Sequence, residues 1–112
     1  MNNASTDYKA HALTAVKTIA EVADYLSGLQ DHEGHLDGDN PAADNEVRAI
    51  NGAHALVSYA RWVSGESDLP VKVVLTDLLG DLMHLGDAFG EDTDQLLMEA
   101  GGHHQAEWAG ER

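Results

Sequence analysis

The chain contains no cysteine, which removes disulfide scaffolds, thiolate zinc sites and cysteine nucleophiles together and leaves the redox compartment open while fitting the cytosol. Positive charge is scarce as well: six Lys and Arg stand against 20 Asp and Glu, for a formal net charge of −14. Such a surface repels phosphate backbones, and direct nucleic-acid binding, which rests on Lys and Arg displacing counterions, is not expected. No apolar run approaches the roughly 20 residues of a membrane-spanning helix. The opening MNNASTDYKAH lacks the basic-then-apolar order of a secretory signal. The expectation is a soluble, cytoplasmic protein with no membrane association. A phosphate loop, a nucleophile elbow and an ordered Ser/His/Asp set are also missing, so no catalytic residue is assigned and no enzyme is expected.

What is present is helical periodicity. At 112 residues the chain fits one domain, residues 1–112, and the pattern predicts an all-α, four-helix bundle-like fold. Ser5, Thr6 or Asp7 can cap a first long helix whose stripe runs Tyr8, Ala12, Ala15, Ile19, Val22, Leu26 and Leu29, with a Lys17–Glu21 pair outside and Gly28 near its end. The stretch DHEGHLDGDN, residues 31–40, has no such period and reads as a surface loop. Asn40 and Pro41 then start a second helix, with Asp44 favouring its positive end. Its inner face is Val47, Ile50, Ala53, Val57, Ala60 and Val63, with Tyr59 and Trp62 off the stripe, and Gly65 stops it.

The third helix looks like the centre of the fold. Ser67 or Asp68 can cap it, Pro70 fits its first turn, and Val71, Val74, Leu75, Leu78, Leu79, Leu82, Leu85 and Phe89 form a continuous apolar stripe. Gly90 ends it, and Asp92 with Gln95 makes a capping pattern for a fourth helix through Leu96, Leu97, Ala100, His104 and Trp108. Gly101 and Gly102 weaken that helix by about 1 kcal/mol each relative to Ala, which close packing against a neighbour would explain. Apolar excess on the first and third helices points to a homodimer.

The chemistry on offer is carboxylate plus imidazole. Asp77, Asp81 and His84 lie at i, i+4 and i+7 on the side of the third helix away from its apolar stripe. His104 and Glu107 repeat the pairing on the fourth, and His103 lies between Glu99 and Glu107. A metal-binding reading on Asp77, Asp81, His84 and His104 needs those groups to converge inward with further carboxylates. A magnesium-dependent, all-α nucleoside triphosphate pyrophosphohydrolase reading needs paired glutamates that the second helix lacks. In the loop, Glu33, His35, Asp37, Gly38 and Asp44 fall at calcium-loop positions, but imidazole at the third place and Asp at the twelfth fit calcium poorly. His32 and His35 are the corresponding candidates for a transition metal. No metal or cofactor is assigned.

From Leu75 to Glu107 the chain resembles a group of small proteins of phages, plasmids and integrated bacterial elements. The residues that carry the resemblance are Asp77, Asp81, Leu82, His84, Gly90, Asp92, Ala100, His104, Ala106 and Glu107; Gly101 and Gly102 depart from it. The group has no assigned activity, but small acidic proteins of such elements are often inhibitors of the anti-CRISPR or anti-restriction kind, which occupy the nucleic-acid-binding surface of a host defence complex. Such an inhibitor is the expectation. Acidity has three readings: a solubilising surface, a high-salt host (12 Asp against three Lys), or attraction to a basic partner. On the last, the expected contact surface is Asp77, Asp81, His84, Asp87, Glu91, Asp92 and Asp94, with a basic protein surface as the partner.

Overall fold

The computed structural model describes residues 13–29, 36, 38–65 and 68–110. Among them are four α-helices, α1 (Ile19–Ser27), α2 (Pro41–Val63), α3 (Val71–Ala88) and α4 (Thr93–Trp108), and no β-strand. The expected all-α, bundle-like fold is present.

The first helix is shorter than its apolar period. A 3₁₀ turn occupies residues 13–15, and α1 opens only at Thr18. There the Thr18 hydroxyl accepts from the Glu21 amide at 3.3 Å, and Glu21 Oε1 accepts from the Thr18 and Lys17 amides at 3.1 and 2.7 Å. This reciprocal capping box satisfies donors that a helix start leaves orphaned. It also redirects Glu21, expected to pair with the Lys17 ammonium, onto backbone. Those hydrogen bonds hold the Glu21 carboxyl below its usual range. The caps proposed at Ser5, Thr6 and Asp7 lie outside the described residues.

The start of α3 is built differently. Pro70 occupies the cap position with no side-chain hydrogen bond, in place of the expected Ser67 or Asp68, of which Ser67 lies outside the described residues. Instead the Val71 amide donates to the Lys17 carbonyl at 2.9 Å, and the Ile19 amide donates to the Leu69 carbonyl at 3.0 Å. Thr18 and Pro70 thereby form an isolated antiparallel bridge. The segment leading into each helix supplies the acceptor for the other helix's first amide.

The remaining boundaries follow the sequence signals. Asn40 caps α2 by accepting from the Ala43 amide at 3.1 Å, with Pro41 in the first turn. Gly65 follows its last turn with φ +72°. At the end of α3, Gly90 has φ +80°, the Gly90 amide donates to Asp87 O and the Glu91 amide to Gly86 O, both at 3.0 Å. Those two bonds are the Schellman pattern, which needs a residue free of Cβ strain. Asp92 caps α4 through the Gln95 amide at 3.1 Å. Helix α4 continues unbroken through Gly101 and Gly102, and no atom lies within 4 Å of a Cβ built at either. Close packing is therefore not the reason for this glycine pair.

The core belongs to α1 and α2. Ile19 and Val22 pack on Ala53, Leu56, Val57 and Ala60, and Val74 is the one buried residue that α3 adds to this cluster. Burying a residue such as Ile19 or Leu56 is worth roughly 2 kcal/mol. The sequence expectation that α3 is the centre is corrected here. Its Leu75, Leu79, Leu82 and Leu85 are about half exposed and Phe89 is 73% exposed, because α3 meets the α1–α2 pair chiefly through Val71, Val74 and Leu78. Of the inner face expected for α2, Val47 is only partly covered, Val63 is exposed, and the unlisted Leu56 is buried. Helix α4 has no buried residue. It is tied to α2 by polar contacts: Asn45 Nδ2 donates to Glu107 O at 2.8 Å, Arg48 donates to Asn45 Oδ1 at 2.8 Å, and Arg48 pairs with Glu107 at 3.4 Å.

Removing the cap with Thr18→Ala should cost about 1 kcal/mol, measured by chemical denaturation. The carboxylate half of the box has a defined pH signature. A folded-state pKa below the usual 4.5 makes its contribution fully present above pH 4.5 and lost as pH falls below that value. The stability difference between wild type and Glu21→Gln should therefore shrink in acid. The glycines should split by position: Gly90→Ala should destabilise by roughly 1 kcal/mol because of its positive φ, whereas Gly101→Ala should stabilise by about as much. In thermal melts those changes are shifts of about 4 °C in opposite directions.

Candidate functional site

The seven expected contact residues occupy one flank of α3, its closing turn and the first turn of α4, and all seven are exposed. Helical geometry explains the grouping. Asp77, Asp81, His84 and Asp87 recur at three- and four-residue steps, so they line up along the side of α3 away from Leu75, Leu79 and Leu82. The Schellman turn at Gly90 then carries Glu91 onto the same end of the molecule, and the cap at Asp92 brings Asp94 into the first turn of α4.

Within this group the acids have different tasks. Asp81 accepts a hydrogen bond from the Tyr59 hydroxyl across the α2–α3 seam. That bond, then partial burial and the charges of Asp81 and Asp77, push the Tyr59 phenol up to about 12. Asp87 Oδ1 accepts from the Thr93 hydroxyl at 2.6 Å and so braces the α3–α4 turn. Asp92 holds the α4 start through the Gln95 amide. Asp77, Glu91 and Asp94 make no side-chain hydrogen bond with another described residue and present their charge to solvent.

Other acids are drawn into the fold. Asp44 is buried, 1% exposed, and accepts from the Gly38 amide at 3.0 Å. It holds the segment ahead of α2 through that bond. The loop ligands Glu33, His35 and Asp37, and His32 beside them, lie outside the described residues. His104 does not join Asp77, Asp81 and His84. It lines an open pocket of about 290 Å³ with Asn45, Arg48, Ala49, Glu107 and Trp108, all from α2 and α4. Among the described residues no group of three or more His, Asp or Glu side chains is placed to hold a metal ion. Also among the described residues, no helix is long and apolar enough to cross a membrane.

Three contacts escape sequence reasoning: Tyr59 with Asp81, Thr93 with Asp87, and the Asn45–Arg48–Glu107 set. The first and third depend on how α2 crosses α3 and α4, which no local pattern encodes. The second had a local signal, since Asp87 and Thr93 flank a Gly90 turn short enough to bring them together. No family model matches the chain, and no curated protein or solved structure is significantly similar to it.

The Tyr59 assignment is directly measurable. In an ultraviolet titration at alkaline pH, the phenol that disappears in Tyr59→Phe should ionise near pH 12. Asp81→Asn should bring it back toward the ordinary value of 10. An unchanged titration in Asp81→Asn would show that the cross-helix bond does not form in solution.

Proposed function

We propose that this chain is a binding protein without catalytic activity, whose acidic α3 flank and α3–α4 turn engage a basic surface on a nucleic-acid-binding protein complex. The resemblance to proteins of phages and other mobile elements makes a host defence complex the proposed partner, which puts the protein in the cytoplasm as an anti-CRISPR-like inhibitor. The observation that supports this reading is the exposure of Asp77, Asp81, His84, Asp87, Glu91, Asp92 and Asp94 on α3, its closing turn and the first turn of α4. Asp77 and Asp81 are one helical step of about 6 Å apart along the axis. Phosphates on one DNA strand recur every 3.4 Å or so. The acidic flank offers the sign of a phosphate row, and Arg or Lys side chains on the partner would reach individual carboxylates.

The division of tasks among the acids selects the test. Asp77→Asn, Glu91→Gln and Asp94→Asn together remove charge without touching the Tyr59, Thr93 or Gln95 bonds. The wild-type protein, immobilised and exposed to bacterial lysate, should retain a nucleic-acid-binding protein at low salt and release it near ~0.5 M salt. Added wild-type protein should block nucleic-acid binding by that partner. The triple variant should bind it at least about tenfold more weakly, or about 1.4 kcal/mol, with an unchanged melting temperature. Retention that is insensitive both to salt and to the triple substitution would overturn the proposal.

A further inference from the structure

We infer that the apolar groove between α2 and α3 is the interface of a symmetric homodimer. The groove holds about 410 Å³ and every residue lining it is apolar or glycine. One wall is made of small α2 residues, Ala49, Gly52 and Ala55, the other carries Leu75 and Leu82 of α3, and Leu13 and Val16 of the segment leading into α1 close one end. Beside it, Leu79, Leu85 and Phe89 continue the same α3 stripe as an exposed ridge, 52%, 48% and 73% exposed.

Area is the first argument for a second copy. At roughly 150–200 Å² for a whole large apolar side chain, the exposed parts of Leu75, Leu79, Leu82, Leu85 and Phe89, with Leu96 and Leu97 of α4 beside them, amount to on the order of 600 Å². That is the upper edge of the roughly 300–600 Å² that a monomer leaves in its largest patch. The α2 wall brings the total toward the ~800 Å² per partner of a standard interface. Shape is the second argument. A two-fold axis requires one face to be its own complement, and this face carries a groove and a ridge side by side, so the ridge of one copy can enter the groove of the other. Charge is the third. Asp77, Asp81 and Asp87 fall on the other flank of α3 by helical spacing, so pairing along the stripe keeps those three off the seam. The exposed Glu91, Asp92 and Asp94 adjoin Phe89 and Leu96 at its end and make the association salt-dependent.

This inference is independent of what the acidic flank binds, and its salt dependence runs the other way. Salt screens repulsion between two acidic chains and strengthens apolar association. Sedimentation equilibrium on the full chain should give about 24 kDa, twice the 12.0 kDa of one chain. The dissociation constant should fall several-fold between roughly 0.05 and 0.5 M salt. Leu82→Glu should give a single-chain mass with unchanged helical circular dichroism. Gly52→Gln supplies a second, opposed readout. No atom lies within 4 Å of a Cβ built at Gly52, so the substitution should raise the melting temperature of the single chain while weakening the dimer at least about tenfold by filling the groove. A single-chain mass at every salt concentration would overturn the inference, as would a dimer indifferent to both substitutions. A single chain that dimerises only after residues 1–12 are removed would assign the groove to that segment and overturn it equally.

Discussion

The exchange of two backbone hydrogen bonds at Thr18 and Pro70 fixes where everything else lies. The first amide of α1 and the first amide of α3 have no partner inside their own helices. Each finds the carbonyl of the other's leading segment. Because Pro70 brings no side-chain cap, the start of α3 rests on this exchange. It pins α3 to the entrance of α1 and delivers Val74 into the α1–α2 core. Beyond that point α3 is carried past the core and not into it. The acidic flank on one side and the apolar groove on the other belong to a helix that meets the core through Val71, Val74 and Leu78 and is tied to α2 beyond them by the Tyr59–Asp81 bond.

Local chemistry made several boundaries legible. Asn40–Pro41, Gly65, Gly90 and Asp92 each state a backbone requirement in one or two residues, and α2, α3 and α4 begin or end there. The start of α1 was legible too, in Thr18 and Glu21 three residues apart, but the longer apolar period running back to Tyr8 outweighed it. Periodicity reports which face of a helix is apolar, not whether anything covers it. That is why α3 looked like the core while Ile19, Leu56 and Val57 form it. The candidate acidic edge was legible because the steps from Asp77 to Asp87 fix a helix face whatever packs on the other side. Its links to Tyr59 and Thr93 were less so, since the first needs the crossing of two helices.

Net charge alone conceals a division of labour among the carboxylates. Asp44, Asp81, Asp87, Asp92 and Glu21 are acceptors for named donors within the chain, and Glu107 closes the α2–α4 contact with Arg48. They would be needed in a protein of any net charge. Asp77, Glu91 and Asp94 have no such duty among the described residues, and on them the choice between a solubilising surface and a recognition surface turns. The alternating arrangement also means that the fold itself orients the unengaged acids: each is adjacent to one that is tethered.

Helix α4 has a further property that follows from its lack of buried residues and its central glycine pair. It is secured at its first turn by Asp92 and near its last by the Asn45 and Arg48 contacts to Glu107, with two of the least helix-favouring residues between those moorings. A segment built in this way opens by itself at a smaller free energy than the α1–α2 core, since little apolar surface is released when it does. Opening of this kind leaves the α1–α2 core intact. Residues 101–102 are therefore the part of α4 held least, between an end tied to α2 through Glu107 and an end braced on α3 through Thr93 and Asp87.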